Sequence, residues 1–405
     1  MDHVIVVGAG LAGLRAAERL RARGYDGRLT LVGAEDRPPY DRPPLSKAVL
    51  TGETDDTSLP ADWAALDLEL RLGTRAQSLR PHDGRPGGAL DTSAGPLPYD
   101  GLVIATGATP VRLPGAGPQH VLRTCDDALR LRDSLRAGAH VVIVGAGWIG
   151  AEVASVAAGS GCRVTVLEAA AAPLAAALGP ELGALTAPWY ADKGVELRCG
   201  VRVVSVEPGG LALHGGEFLA ADVVLSGIGV RPETGWLAGS GIGLEPDGGV
   251  RVNAALRTDR PEVVAAGDCA ARWSWRYGRR LRAEHWDTAL NAPDVAAASL
   301  LGQDECYDPV PYVWSEQFGR MVQYAGHHTP EDRTVLRGSP HDPAAPGWTV
   351  LWLRGDRLRA LLTVDRPRDM VQGRKLLARE TPLDTDLITD PGTALNKAAV
   401  REPVS

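Results

Sequence analysis

At 405 residues the chain is too long for a single hydrophobic core, and 44% hydrophobic with 23% charged residues excludes a disordered chain. A formal net charge of −7 excludes a globally basic nucleic-acid binder. The five cysteines (Cys125, Cys162, Cys199, Cys269, Cys306) are scattered and form no Cys-x-x-Cys, which argues against an exported disulfide scaffold and a structural zinc site, so no metal is expected.

The N-terminus, Met1-Asp2-His3-Val4, has no basic n-region and reaches Gly-x-Gly before an apolar h-region forms; no run of 18 apolar residues occurs elsewhere. A soluble, cytoplasmic protein is expected. Residues 4–7 are a short β-branched run ending in Gly8-Ala9-Gly10-Leu11-Ala12-Gly13. A helical pattern (Leu14, Ala17, Leu20) follows and closes at Gly24, and a second strand, 29–32, leads to the acidic residue Glu35. Residues 141–168 repeat the scheme: Val141-Val142-Ile143-Val144, then Gly145-Ala146-Gly147-Trp148-Ile149-Gly150, a helix, Gly161, a strand and Glu168.

Each copy is a β-α-β unit with a dinucleotide fingerprint in its first turn. The first Gly permits the tight turn, the second lets backbone N–H groups approach a pyrophosphate, and the third lets helix and strand pack closely. The acid lies 22 and 18 residues after the last Gly in the two copies, placed to accept from ribose hydroxyls. Two complete copies imply two different dinucleotides. The strands ending in Ala105-Thr106-Gly107 and Gly227-Ile228-Gly229 direct their ends to the ligand crevice of a doubly wound sheet. A third such strand ends in Gly267-Asp268, where the carboxylate can meet a polyol chain or cap a helix. After Arg163 no basic residue occurs until Lys193, so nothing nearby in sequence can receive a 2′-phosphate beside Glu168, and NADH is favoured over NADPH. From residue 308 the chain becomes turn-rich and alternating without further Gly-x-Gly. A separate α+β domain is expected there, with a loosely ordered tail after Thr381.

The duplicated motifs, the run Pro39-Tyr40-Asp41-Arg42-Pro43-Pro44-Leu45-Ser46-Lys47, the Ala-Thr-Gly and Gly-Asp strands and Trp314-Ser315-Glu316-Gln317 together resemble the putidaredoxin reductase and rubredoxin reductase family. These are FAD-containing, NADH-dependent ferredoxin reductases, and the similarity runs over nearly the whole chain. The resemblance implies an α/β fold of disulfide-reductase-like architecture, with two Rossmann-like dinucleotide-binding domains and a C-terminal α+β domain. FAD would occupy residues 1–109 and 234–307, NADH residues 110–233, and the C-terminal domain residues 308–405.

By the resemblance, Gly8, Gly10, Leu11, Ala12 and Gly13 hold the FAD pyrophosphate with Glu35 near the adenosine ribose, although relatives more often carry the acid one place earlier, at Ala34 here. Arg42 and Lys47 would line the flavin, with Ala76 and Arg123 nearby and Asp268 at the ribityl chain. Gly145, Gly147, Trp148, Ile149 and Gly150 would hold NADH, Trp148 packing at the helix start. Lys47 resembles a lysine beside flavin N5, paired with a glutamate one turn into the NADH helix, here Glu152. A fixed positive charge there favours reduced flavin. Trp286 matches a position flanking the flavin ring, and ordinary core packing would explain it too, as a hydrogen-bonded wall residue would explain His285.

No cysteine precedes Cys125, and Cys269 has no partner within range in sequence, so dithiol or sulfenate chemistry through an early cysteine is excluded. Electrons then leave the flavin directly. The implied reaction passes a hydride from NADH to flavin N5, then single electrons to a two-iron ferredoxin serving a monooxygenase or dioxygenase, in a monomer or homodimer. Ferredoxins are acidic, and two basic segments could dock one: Arg272, Arg276, Arg279, Arg280 and Arg282, and Arg366, Arg368, Arg374, Lys375 and Arg379. A solvated Arg-rich surface explains them equally. Residues 287–294 depart from the family pattern, and Pro293 is expected to reset the helix start to itself. That departure leaves open direct action on a small metabolite. A redox-sensing protein like apoptosis-inducing factor is also compatible with the sequence.

Overall fold

A computed structural model describes residues 1–342 and 347–400. The chain forms two compact units: Met1–Pro44, Glu53–Val111 and Val230–Asp308 make one, and Leu45–Gly52, Arg112–Gly229 and Pro309–Ser405 make the other. Among the described residues no helix is long and apolar enough to cross a membrane.

In the first unit five parallel strands run in the order Val263–Ala265, Gly101–Ile104, His3–Val7, Arg28–Val32, Glu69–Arg71. His3–Val7 is buried from end to end, which is why it reads as an unbroken β-branched run rather than an alternating one. Val7 lies opposite both Val32 and Ile104, so the carboxyl ends of three strands share one edge. That register gathers Gly8–Gly13, Glu35 and Ala105–Gly107, far apart in sequence, beside one another. Behind this edge the helix Leu11–Ala22 packs on the helix Trp286–Leu300, each burying alanines (Ala16 and Ala17; Ala292, Ala296 and Ala297) that allow close approach.

The second of these helices corrects an expectation. It begins at Trp286, seven residues before Pro293, which lies buried inside it. Proline leaves the Ala289 carbonyl without its helical N–H, but burial of the following alanine face outweighs one lost bond.

In the second unit a four-stranded parallel sheet runs in the order Glu196–Cys199, Arg163–Glu168, His140–Val144, Val223–Ser226. Val144 lies opposite Leu167 and Ser226, bringing Gly145–Gly150, Glu168 and Gly227–Gly229 to one edge. The C-terminal part is a five-stranded antiparallel sheet in the order Tyr312–Gln317, Arg320–Gly326, Arg357–Val364, Trp348–Arg354, Arg333–Arg337, backed by the helix Pro367–Arg379. Phe318, Val322, Trp348 and Val350 share one core with Val166 of the parallel sheet and with Val153 and Tyr190 of the helices Trp148–Gly159 and Ala187–Asp192. The tail expected to be loose is packed as far as Ala398: Leu383, Ile388, Leu395 and Ala398 are buried, and the buried Arg337 guanidinium donates to the carbonyls of Ile388 and Thr393. Carbonyl capture by a buried guanidinium holds this segment where composition alone suggested none. Residues 401–405 lie outside the described residues.

The duplication reaches deeper than the glycines. His3 Nε2 and Thr30 Oγ1 are hydrogen-bonded at 2.8 Å, and Thr30 donates to Glu69 at 3.3 Å. In the second unit His140 Nε2 and Thr165 Oγ1 are 2.9 Å apart, and Thr165 donates to Glu196 at 3.0 Å. Each histidine's backbone N–H also rests on an aspartate, Asp100 or Asp222. Burial, then the neighbouring Arg28 or Arg163, holds each imidazole below its ordinary value of 6.5. Burial likewise lowers His120 and His328. A lowered folded-state pKa means the unfolded chain protonates first, so the stability these groups confer is complete above 6.5 and is lost as the pH falls below it. The melting temperature is therefore expected to drop between pH 6.5 and 5, above the carboxylate range, and a His3→Asn/His140→Asn variant to drop less. An equal slope for both proteins in thermal unfolding scans would reject this account.

Candidate functional site

Both glycine turns meet the steric demands of their fingerprint. Gly8 (φ +115°) and Gly145 (φ +103°) sit where a Cβ would lie 2.2 Å from the Ala105 carbonyl oxygen and 2.4 Å from that of Gly227. A Cβ on Gly13 would lie 1.8 Å from the Gly8 oxygen, and one on Gly150 2.0 Å from the Gly145 oxygen. Helix and strand are in contact at those points, which only glycine permits. At Gly10 and Gly147 a Cβ would meet nothing within 4 Å, and these residues begin the helices with no side-chain cap. No side chain caps the first helical turns, so the N–H groups there, of Leu11 and Ala12 in one unit and of Trp148 and Ile149 in the other, are not taken by a capping side chain. That arrangement fits a pyrophosphate.

Around the first cradle the structure gathers several expected residues. A Cβ on Gly267 would touch Ala12 at 3.0 Å, which places Asp268 against the motif in a turn, not at a helix start. Thr106 donates to the Glu233 carbonyl at 2.7 Å, anchoring the Ala105–Gly107 segment. Glu35 accepts from Tyr40 at 2.6 Å and from Arg42 at 2.8 Å. Arg42, expected at the flavin, is thus held by the acid expected at the adenosine ribose. Burial opposes the Arg42 charge, but Tyr40, Glu35 and Asp268 outweigh it and raise its pKa. Trp286 is pinned by its indole N–H to Asp41 at 2.7 Å, and burial raises the Asp41 pKa against that bond. His285 is the extended residue immediately before that helix. Ala76 opens the strand Ala76–Pro81, half-buried on the same core.

In the second unit Glu168 accepts from the N–H groups of Ala146 and Ala170, both at 2.8 Å. Beside the ribose contact expected of it, the acid braces the glycine turn, a duty the sequence did not disclose. Trp148 packs on the core while Ile149 is exposed, as is Ile228 on the facing turn. Arg123 precedes the helix Cys125–Ser134, its N–H on the Asp127 carboxylate at 3.3 Å. Lys47 and Glu152 meet as expected, Nζ to Oε2 at 2.7 Å. Three residues that sequence reasoning left without a role complete this cluster. Ser46 and Ser315 donate to the same carboxylate, and Gln317 donates to Ser315. The Trp-Ser-Glu-Gln run carried the signal, read there only for its resemblance.

The first basic segment is largely spent inside its unit. Arg272 is 4% exposed and bonded to Asp308, Arg280 bonds Glu245 and two carbonyls, and Arg282 bonds Asp247 and Glu284. On the helix Pro367–Arg379, in contrast, Arg368, Lys375 and Arg379 are exposed at helical spacing around Val371.

Comparison with known proteins then decides the family. The model described as pyridine nucleotide-disulphide oxidoreductase matches residues 2–292, and the reductase C-terminal model matches residues 312–399. The chain belongs to the pyridine nucleotide-disulphide oxidoreductase family. It is 38% identical over 409 residues to the ferredoxin–NAD(+) reductase component of the anthranilate 1,2-dioxygenase system of Burkholderia cepacia, covering 97% of this chain and 98% of the relative. The crystal structure of Fdr9 is similar at 47% identity and TM-score 0.92, covering 98% of this chain and 99% of that one. That of the covalent putidaredoxin reductase–putidaredoxin complex is similar at 32% identity and TM-score 0.91, covering 98% of both chains. The cysteines bear on the chemistry available here. None of the five is in a disulfide, and burial pushes the Cys269 thiol up to about 11, far from the thiolate that dithiol exchange needs.

Proposed function

We propose that the protein is an FAD-dependent NADH:ferredoxin reductase, supplying single electrons to a two-iron ferredoxin of a monooxygenase or dioxygenase system. The observation that carries this reading is the pair of separate, open dinucleotide cradles in one chain, joined to the absence of a cysteine pair. The names of the relatives above, reductase components of oxygenase systems, point the same way.

FAD is assigned to residues 1–109 and 234–307, NADH to 110–233, and the C-terminal domain to 308–405. FAD, when bound, exchanges an electron pair on one side and single electrons on the other. Gly8–Gly13 and Asp268 hold the first dinucleotide; Arg42, paired with Glu35, serves its adenosine and pyrophosphate end, leaving Trp286, pinned to Asp41, for the flavin end. Gly145–Gly150 hold the second, and the Glu168 carboxylate repels a 2′-phosphate, selecting NADH. Lys47, steadied by Glu152, holds a positive charge where negative charge develops. The exposed basic stripe Arg368, Lys375, Arg379 is the face assigned to the acidic ferredoxin. With none of the five cysteines in a disulfide, the reading includes a cytoplasmic location.

Stopped-flow mixing of the FAD-loaded protein with NADH is expected to bleach the flavin absorbance, and NADPH to do so far more slowly. Adding a two-iron ferredoxin is expected to raise cytochrome c reduction. A flavin that NADH leaves oxidised overturns the reading, and a rate indifferent to ferredoxin moves the acceptor to a small oxidant.

A further inference from the structure

The Glu152 carboxylate is 4% exposed, and such a group is tolerated only where its lone pairs are occupied. Four donors occupy them here, two on each oxygen. Oε2 accepts from Ser46 Oγ and from Lys47 Nζ. Oε1 accepts from Ser315 Oγ at 2.6 Å and from the Glu316 N–H at 3.3 Å. Half of the hold on this carboxylate therefore comes from the C-terminal sheet, 163 residues away in sequence.

Ser315 is itself oriented. A hydroxyl has one proton and can aim it at either of two acceptors unless one direction is closed. Gln317 Nε2 donates to Ser315 Oγ at 3.1 Å, occupying a lone pair and leaving the proton for Glu152. Ser315 and Gln317 are two residues apart in the strand Tyr312–Gln317, so they share one face, and both are fully buried. Ser315 lies opposite Val322 in a continuous antiparallel register, which makes its position a property of the sheet, not of a loop.

We propose that Ser315, oriented by Gln317, is a positioning residue for the Lys47–Glu152 pair, through which the C-terminal sheet fixes the direction of the Lys47 ammonium during reduction by NADH. The inference rests on the reductase reading above for its catalytic consequence, but not for the positioning itself. Without Ser315 the Oε1 side keeps only the longer Glu316 bond, the carboxylate can rotate, and the Lys47 ammonium follows it.

The chain's four lysines make a direct test practical. In FAD-loaded protein carrying 15N-lysine, the Lys47 Nζ resonance is assigned from its loss in Lys47→Arg. Ser315→Ala is expected to shift or exchange-broaden that resonance and to slow flavin reduction at saturating NADH by about tenfold, with KM for NADH unchanged. Ser315→Cys, of nearly the same volume and a weaker donor, is expected to lie between; it carries the comparison should the alanine variant fail to retain FAD. A resonance and a rate both at the wild-type values overturn the proposal, as does a change in either one without the other. If NADH fails to reduce even the unsubstituted protein, the reductase reading falls, and the resonance alone then decides whether Ser315 positions Lys47.

Discussion

Gly13→Ala is expected to yield protein that no longer retains FAD, and Gly150→Ala to yield protein that keeps FAD but has lost NADH. The added methyl in each case points at a backbone oxygen, 1.8 Å and 2.0 Å away respectively, and a backbone oxygen cannot swing aside as a side chain can. The helix must move off its strand, which costs at least about 1–3 kcal/mol and carries the first-turn N–H groups with it. For Gly150→Ala the NADH dissociation constant should rise by two orders of magnitude or more, about 3 kcal/mol. Gly10→Ala and Gly147→Ala are the controls. Their methyl groups point into open space, so the melting temperature of the cofactor-free protein should hold while cofactor affinity falls. The flavin-to-protein absorbance ratio, NADH titration and thermal unfolding read all four. A Gly13→Ala protein that keeps its flavin would show that the contact is relieved by some other movement.

Lys47→Met and Glu152→Gln are each expected to slow reduction by NADH by about 100-fold at full flavin content, close to 2.7 kcal/mol. The two losses differ physically. Lys47→Met strands a buried carboxylate among neutral donors; Glu152→Gln presents an amide N–H₂ to Lys47 or Ser315, both of which already donate. Both variants should also be less stable, because breaking a buried pair leaves one partner uncompensated. A Lys47→Met/Glu152→Leu double variant removes both charges, so it should recover melting temperature without recovering the rate. Recovery of both would reduce the pair to a structural role. Together with Ser315→Ala this series separates the charge from its aim.

The cradles were legible in the sequence because their constraints are short-ranged. The oxygen that forces Gly13 to be glycine belongs to Gly8, five residues earlier, and the same holds for Gly150 and Gly145. The Lys47–Glu152 pair was legible only through resemblance, since nothing in the spacing of two residues 105 apart requires them to meet. The basic segment from Arg272 to Arg282 misled for the opposite reason. Density in sequence says nothing of direction, and in alternating strand and hairpin three of its five arginines turn inward to Asp308, Glu245 and Asp247. Pro293 misled because a local penalty of one helical bond was set against no knowledge of the alanine face that the whole helix buries.

The size and charge that open the sequence, with its two glycine turns and no Cys-x-x-Cys, pointed by themselves to a two-dinucleotide redox protein. Those properties are composition, or they are contacts between residues a few positions apart. Tertiary structure alone decided that Arg42 answers to Glu35, that Glu168 braces its glycine turn, and that the tail packs under Arg337 as far as Ala398. It alone decided that Ser315 reaches Glu152. Each of these joins groups whose partnership no local rule requires, and a hydrogen bond exists only where strand register and packing bring donor to acceptor.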